Sequence, residues 1–395
     1  MVTAEAHDVV VVGAGNGGLS AAALLRRRGC RDVALVEPSA VHVYKPLQNY
    51  VGCGVARLSE LTRSQAELIP KGVRWYRTSA VQVDGATGTV RCADGTILTG
   101  GDVLLAPGAV VDWGGLPGAV EGLRTGRVCT TFVDTELRRT ARMIDTLRRG
   151  RAVFTVRSQP ASGRETAFKP LFLACDSWRR AGVLDAIEVV LAHEDARLHP
   201  VAAIAREIAR HLDRFGVTVR LGTSVSAVEQ GDTVLLDGIS GPERLPADLI
   251  HLLPPYAAPA LVADSGLDAL GTGGFLAVDP ETLRHRHYER IWGVGDACDL
   301  GDARTGGALR HRVKVAVDNI QRSRRSLRLS RYDGYTVAPI ATGHGRLSFG
   351  EYDRQLRVRR SLPVPDQIRS RRIWWWLDRY GLPQAYWHRI LKGRL

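Results

Sequence analysis

The residues of this chain whose types and spacing could do chemistry are three glycines and two acids, each set at the end of an apolar run. Gly13, Gly15 and Gly18 follow Asp8-Val9-Val10-Val11-Val12, and Glu37 closes Val33-Ala34-Leu35-Val36. Four β-branched residues in a row read as a buried parallel strand. Glycines after such a strand leave room for a tight turn, for a pyrophosphate against bare backbone at Gly15 and Asn16, and for close strand–helix packing. Leu19 to Arg28 reads as the following helix, with Gly29 as its stop; its unpaired N–H groups and dipole favour negative charge. Glu37 is placed to accept hydrogen bonds from the ribose hydroxyls of an adenosine. Far downstream, Arg290-Ile291-Trp292-Gly293-Val294 is an apolar strand ending in Gly295-Asp296. There glycine admits a ligand and aspartate can accept hydrogen bonds from a polyol. A GxGxxG paired with a distant strand ending in Gly-Asp is how flavoproteins hold the two ends of FAD.

Length and composition frame these motifs. A chain of 395 residues, 45% hydrophobic and 24% charged, has material for more than one core and reads as folded and multi-domain. Its first residues lack a basic stretch followed by an apolar core, and no apolar run reaches bilayer length, so a cytoplasmic protein, soluble or peripheral at the inner face of the cell membrane, is expected. The six cysteines form no CxxC pair, and no metal is expected. The net charge of +13 admits nucleic acid, anionic lipid or an acidic substrate, but an arginine-biased composition explains it without nucleic acid.

Taken in order, Pro38 to Val55 is a Pro/Gly/aromatic loop placed where open α/β sheets bind ligands. The stretches around Val81, Thr89 and Ile97, punctuated by Asp84-Gly85 and Asp94-Gly95, read as a small antiparallel meander inserted in the first sheet. Asp102 to Gly108 is a short buried strand ending in small residues. A second α/β unit begins near Gly150, with strands at 152–156, 187–191 and 217–221, a helix from Lys169 to Arg180, and an apolar helical face at Val201, Ile204, Ile208 and Leu212. No GxGxxG follows Phe154, so a nicotinamide site is not expected in this unit. Beyond Ile368, Trp and Tyr alternate with Arg and Lys over two helix-length pieces. That composition suits an in-plane contact with anionic lipid, or a helix pair packed on its own protein or on a second subunit.

The chain resembles the sulfide:quinone oxidoreductase family, in the branch that includes the mitochondrial enzymes. The likeness runs through Gly13 to Gly18, Val36-Glu37-Pro38-Ser39, His42-Val43-Tyr44-Lys45-Pro46 and Val51-Gly52-Cys53-Gly54. It continues in Leu252-Leu253-Pro254-Pro255, Val278 to Tyr288, Gly293-Val294-Gly295-Asp296 and Tyr332-Asp333-Gly334-Tyr335-Thr336. It implies FAD and an α/β fold of two Rossmann-like domains with a small β-meander insert and a C-terminal helical extension. The expected division is residues 1–115 and 271–330 for the FAD-binding domain, 116–270 for the second, and 331–395 for the extension. Gly13, Gly15, Asn16, Gly18, Glu37, Lys45, Val81, Gly108, Gly295 and Asp296 are expected against the cofactor.

The departures bear on chemistry. The family's two redox cysteines fall at Gly163 and Ala338, and neither is a cysteine. The segment after Gly-Asp, small and apolar in the family, is here Arg304 to Arg312. His311 and Arg312 are therefore expected to face the flavin and stabilise the charge it gains on reduction; helical spacing lets at most one of Arg310 and Arg312 do so. Lys169 and Glu165 flank the vacated cysteine loop, and Lys169 is expected to touch substrate. Cys53 is the best-placed remaining thiol, although a buried cysteine is usually a small hydrophobe. The expected activity is an FAD-dependent oxidoreductase acting on an organic substrate or quinone. The alternatives are sulfide oxidation through relocated cysteines, and a non-enzymatic flavin-binding or membrane scaffold. The dinucleotide site is expected to be complete by Asp296 and independent of residues beyond Asp366.

Overall fold

The computed structural model describes residues 4–158, 166–239, 241–268, 273–301, 303–361 and 366–394. Val9 to Val12 are fully buried because strands flank them on both sides. Strand β1 (Glu5–Val12) pairs parallel with β2 (Val33–Val36), in register from Val9↔Val33 to Val12↔Val36, and with β4 (Ile97–Leu105) on its other side. Strand β3 (Val73–Tyr76) extends the sheet beyond β2. Helix α1 (Asn16–Arg27) connects β1 to β2. It starts earlier than its apolar period suggests, because Gly17 and Gly18 are themselves packed against the sheet. Gly29 closes it in a left-handed conformation, φ +89°.

The meander is hydrogen-bonded into this same sheet. The first half of β4 pairs antiparallel with Thr89–Cys92, which pairs with Ala80–Asp84, while its second half runs parallel to β1. The fourth parallel partner comes from far along the chain.

The second sheet has five parallel strands: β5 (Val128–Cys129), β6 (Gly150–Val156), β7 (Ile187–His193), β8 (Thr218–Leu221) and β9 (Leu249–His251), in the order β5-β9-β6-β7-β8. Helix α2 (Phe168–Arg180) joins β6 to β7, and α3 (Ala202–Arg214) joins β7 to β8. The face of Val201, Ile204, Ile208 and Leu212 is buried, as its period requires. An antiparallel three-stranded sheet over residues 224–246, not expected from the sequence, caps this unit.

The chain then returns to the first sheet. Strand β10 (Ile291–Gly293) pairs parallel with β4, Ile291 opposite Val103 and Gly293 opposite Leu105. Helix α4 (Gly306–Ser323) packs against α1. The C-terminal extension is not purely helical: β11 (Thr336–Gly343) and β12 (Arg346–Tyr352) form a hairpin against α2 before α5 (Arg372–Trp376) and α6 (Leu382–His388), which are joined by a π-helical turn over Leu377–Gly381.

Candidate dinucleotide and substrate site

The three glycines of the first turn serve three different needs. Gly13 has φ +91°, and a Cβ there would lie 2.5 Å from the Ala106 carbonyl oxygen, so both conformation and crowding exclude a side chain. A Cβ on Gly18 would lie 1.7 Å from the Gly13 carbonyl oxygen, so the helix can sit this close to the strand only with glycine. A Cβ on Gly15 would meet nothing within 4 Å: it would project into open space at the start of α1. No side chain caps that helix and no acid lies in its first turn. Unpaired N–H groups facing open space are an anion site, so a diphosphate fits here.

Two other strand ends and a helix start close the crevice. After β4 comes Gly108, with left-handed φ +76° and open space where a side chain would be; after β10 come Gly295, φ +87°, and the half-buried Asp296. The start of α4 completes it. A Cβ added to Gly17 would stand 3.2 Å from Val294 and 3.4 Å from Leu309, and one added to Gly306 would stand 4.0 Å from the Asn16 amide nitrogen. Two helix N-termini, of α1 and α4, thus converge on one cleft. Asp296 also acts on the neighbouring Tyr256, whose phenol is pushed up by burial first and by this carboxylate second.

Glu37 does double duty. Its carboxylate accepts from the Ala14 amide at 2.7 Å and the Ser39 amide at 2.8 Å, fixing the glycine turn, while each oxygen retains a lone pair for a ribose hydroxyl. Lys45 is exposed at the head of the loop, and Val81 is 47% exposed on Ala80–Asp84.

At the other end, Thr305 caps α4 by accepting from the Ala308 amide at 3.2 Å. His311 stacks on Tyr335, with centroids 4.4 Å apart, and Tyr335 donates to Glu351. Burial, then Arg310 and Lys314, hold the His311 imidazole below its ordinary value. Arg312 turns into the core: 1% exposed, it donates to the Ala303 carbonyl at 3.1 Å and lies over the Tyr332 ring at 5.1 Å. Arg310 is the arginine whose charge acts on both Tyr44 and Tyr335.

All six cysteines are unbridged. Cys53 is buried with its Sγ 3.9 Å from the Pro170 carbonyl oxygen, and burial pushes its thiol far up. Burial likewise raises Cys298 and Cys129 to about 12. Such thiols stay protonated and are poor nucleophiles. Ala338 is fully buried on β11, opposite Gly350. Gly163 and Glu165 lie outside the described residues.

Lys169 does not stand free. Its ammonium is buried 2.7 Å from Asp378, whose side chain comes from the turn between α5 and α6, and it lies over the Tyr50 ring at 4.9 Å. Tyr50 donates to the same Asp378 oxygen and meets Trp375 edge-on at 5.1 Å. Around this pair the C-terminal helices lie over the loop that follows Glu37. The Tyr386 hydroxyl and His42 Nε2 are 2.5 Å apart, Tyr386 packs on Tyr44 at 4.3 Å, Trp387 lies under Arg63, and Arg379 pairs with Glu60 at 2.9 Å. Residues beyond Asp366 thus pack on the loop that follows Glu37 and reach Lys169 through Asp378. Asp378 was not among the expected site residues, yet it is the only acid between Gln367 and Leu395. A lone carboxylate amid cations and aromatics was the available signal.

Comparison with known proteins agrees with this geometry. Residues 7–156 match the pyridine nucleotide-disulphide oxidoreductase family. The mitochondrial sulfide:quinone oxidoreductase of Dictyostelium discoideum is 28% identical, over 98% of this chain and 86% of the relative; that of Mus musculus is 26% identical, over 99% and 88%. The solved sulfide:quinone oxidoreductase from the hyperthermophilic bacterium Aquifex aeolicus superposes with a TM-score of 0.84 at 16% identity, over 99% of this chain and 92% of that one. Over nearly its full length the chain is thus similar to sulfide:quinone oxidoreductases, and it is an FAD-dependent oxidoreductase.

Proposed function

We propose that this flavoprotein draws an electron pair from an organic substrate or exchanges one with a quinone, and does not oxidise sulfide through two thiols. The observation that carries the proposal is the buried methyl of Ala338 where the resemblance requires a sulfur, together with remaining thiols that burial keeps protonated. Bound FAD supplies the two-electron chemistry. The chain's own residues supply the rest. The open start of α1 at Gly15 and Asn16 holds the diphosphate, Glu37 the ribose, and Asp296 the ribityl hydroxyls. The N-terminus of α4 places positive potential where negative charge develops, while Arg312 is buried in the core behind it. His311, neutral near pH 7 and oriented by Tyr335 and Glu351, is the group able to take up a substrate proton.

Work at a membrane surface is the second part of the reading. Most C-terminal aromatics pack on this chain, but Ile373, Trp376 and Tyr380 stand 58%, 61% and 49% exposed on one side of the extension. Among the described residues no helix is long and apolar enough to cross a membrane. A short exposed aromatic stripe flanked by arginines suits contact in the interface plane, with access to a lipid-borne quinone.

Anaerobic flavin bleaching tests the chemistry. A short-chain quinol or a hydroxylated aromatic is expected to bleach the flavin saturably, and sulfide no faster than it bleaches free FAD. Saturable bleaching by sulfide that disappears in Cys53→Ser or Cys298→Ser would falsify the reading.

A further inference from the structure

Away from the dinucleotide crevice, α2, α3, the β11–β12 hairpin and the stretch entering α5 frame a cleft walled with arginine. A cavity of about 340 Å³ is lined by Arg210, Arg214, Arg346 and Arg369, with His211 and Ser370. It continues past Arg214 and Arg346 into a smaller one of about 180 Å³ that reaches Arg179, Arg180 and Arg372. Three carboxylates serve this neighbourhood: Asp366 accepts from the Arg369 amide at 3.0 Å, and the other two are engaged by side chains. Asp176 accepts from Arg179, from Arg180 at 3.1 Å, and from the His344 amide at 2.9 Å. Glu207 accepts from Arg210 at 2.7 Å and from the Ser370 amide at 2.8 Å, with the His211 ring 3.3 Å away. Asp176 also acts on Arg214 through its charge, but among the described residues no carboxylate makes a close ion pair with Arg214, Arg346, Arg369 or Arg372.

Such a gathering of like charge works against folding unless something opposes it. Packing opposes part of it: the guanidiniums of Arg179 and Arg214 both lie over the buried ring of Phe215, at 4.7 Å and 5.5 Å, where the ring's negative face holds them. Arg346 is held by the Ser370 carbonyl at 3.4 Å. These contacts fix donors in place without neutralising them. Planar guanidinium forks converging from separate elements on a polar cavity match a tetrahedral oxyanion, which each fork can engage with two hydrogen bonds.

We propose that this cleft binds a phosphate group, with Arg214 and Arg346 at its centre and Arg369 and Arg372 at its rim. The group belongs either to a small soluble phosphate or to a phospholipid headgroup, since the exposed Ile373 directly follows Arg372. The site is separate from the flavin crevice and does not depend on the substrate assigned above.

The test uses the full flavin-loaded protein at low ionic strength. Inorganic phosphate and pyrophosphate are titrated by calorimetry, with chloride at matched ionic strength as control. Sedimentation with phosphatidylcholine vesicles, with and without phosphatidic acid, forms the second arm. Saturable binding is expected in at least one arm, weakened tenfold or more by Arg214→Gln and by Arg346→Gln, less by Arg214→Lys, and not by Arg124→Gln. Flavin absorbance and melting temperature should be retained in all four variants. Binding of soluble phosphate identifies a free ligand; binding only to acidic vesicles identifies a headgroup. Absence of binding in both arms, or binding indifferent to both glutamine substitutions, overturns the proposal.

Discussion

Between β1 and α1 the chain needs only Gly13, Ala14 and Gly15 to turn from strand to helix; eleven residues separate β6 from α2 in the sequence. Both units then run strand–helix–strand in a parallel sheet, yet they treat the start of the helix in opposite ways. At α1 the N–H groups are uncapped and face open space. In the first turn of α2, Pro170 removes a donor, the Lys169 side chain lies buried, and a carboxylate of the same chain, Asp378, comes to meet it. One unit leaves its helix start for a ligand's negative charge; the other brings in negative charge from its own C-terminal segment. Parallel topology alone therefore does not make a nucleotide site, and what occupies the helix start decides.

The strongest way to break the contrast is to spoil the first turn. Gly18→Ala puts a methyl into the Gly13 carbonyl, so loss of both flavin and cooperative melting is expected. Gly15→Val should give folded but colourless protein, visible as an unchanged far-ultraviolet spectrum without flavin absorbance. The next largest effect lies in the second unit. Asp378→Asn leaves Lys169 buried without its counter-charge and should lower stability by about 3–5 kcal/mol in urea melts, whereas Lys169→Met with Asp378→Leu should recover most of the loss. A double variant as unstable as the single one would show that the pair's geometry matters beyond charge balance.

Acid should separate the units more gently. His251, on β9 of the second sheet, stacks on Phe154 and is held down to about 3 by burial. Its folded value lies below the unfolded one near 6.5, so the unfolded chain binds the proton more readily between those limits. Stability present above about pH 6.5 is then lost as pH falls toward 3, at up to about 1.4 kcal/mol per pH unit for this one group. His251→Gln should flatten that slope in melts across the same range. His42, beside the first helix, is also lowered by burial and acts in the same sense. The smallest effect is expected from Cys53→Ser: stability lower by about 1 kcal/mol and sulfide bleaching unchanged.

Local pattern carried the first unit well. Strand, glycine turn, helix and acid each depend on neighbours within a few dozen residues, and Gly13, Gly18 and Glu37 make the contacts their types imply. The Gly295-Asp296 turn was legible for the same reason. The C-terminal segment was not, because composition cannot tell faces apart. Trp374 and Trp375 are buried on the hairpin and on Tyr50, while Trp376, one residue on, is exposed. The partnership of Lys169 with Asp378 spans 209 positions and leaves no periodic trace. Arg312 looked like a residue of the cleft, but only the turn of α4 shows it facing inward.

The lateness of β10 has a consequence for how the molecule is made. During synthesis β4 emerges with its parallel edge open, and that edge stays unpaired until Ile291–Gly293 appear, by which time the whole second sheet has been translated. Closure of α1 comes later still, since a Cβ on Gly393 would stand 2.7 Å from the Leu24 amide. A nascent chain thus has its whole second sheet translated while its first sheet still has an open, aggregation-prone edge, and access to a chaperone or to early cofactor during that interval should govern the yield of active protein.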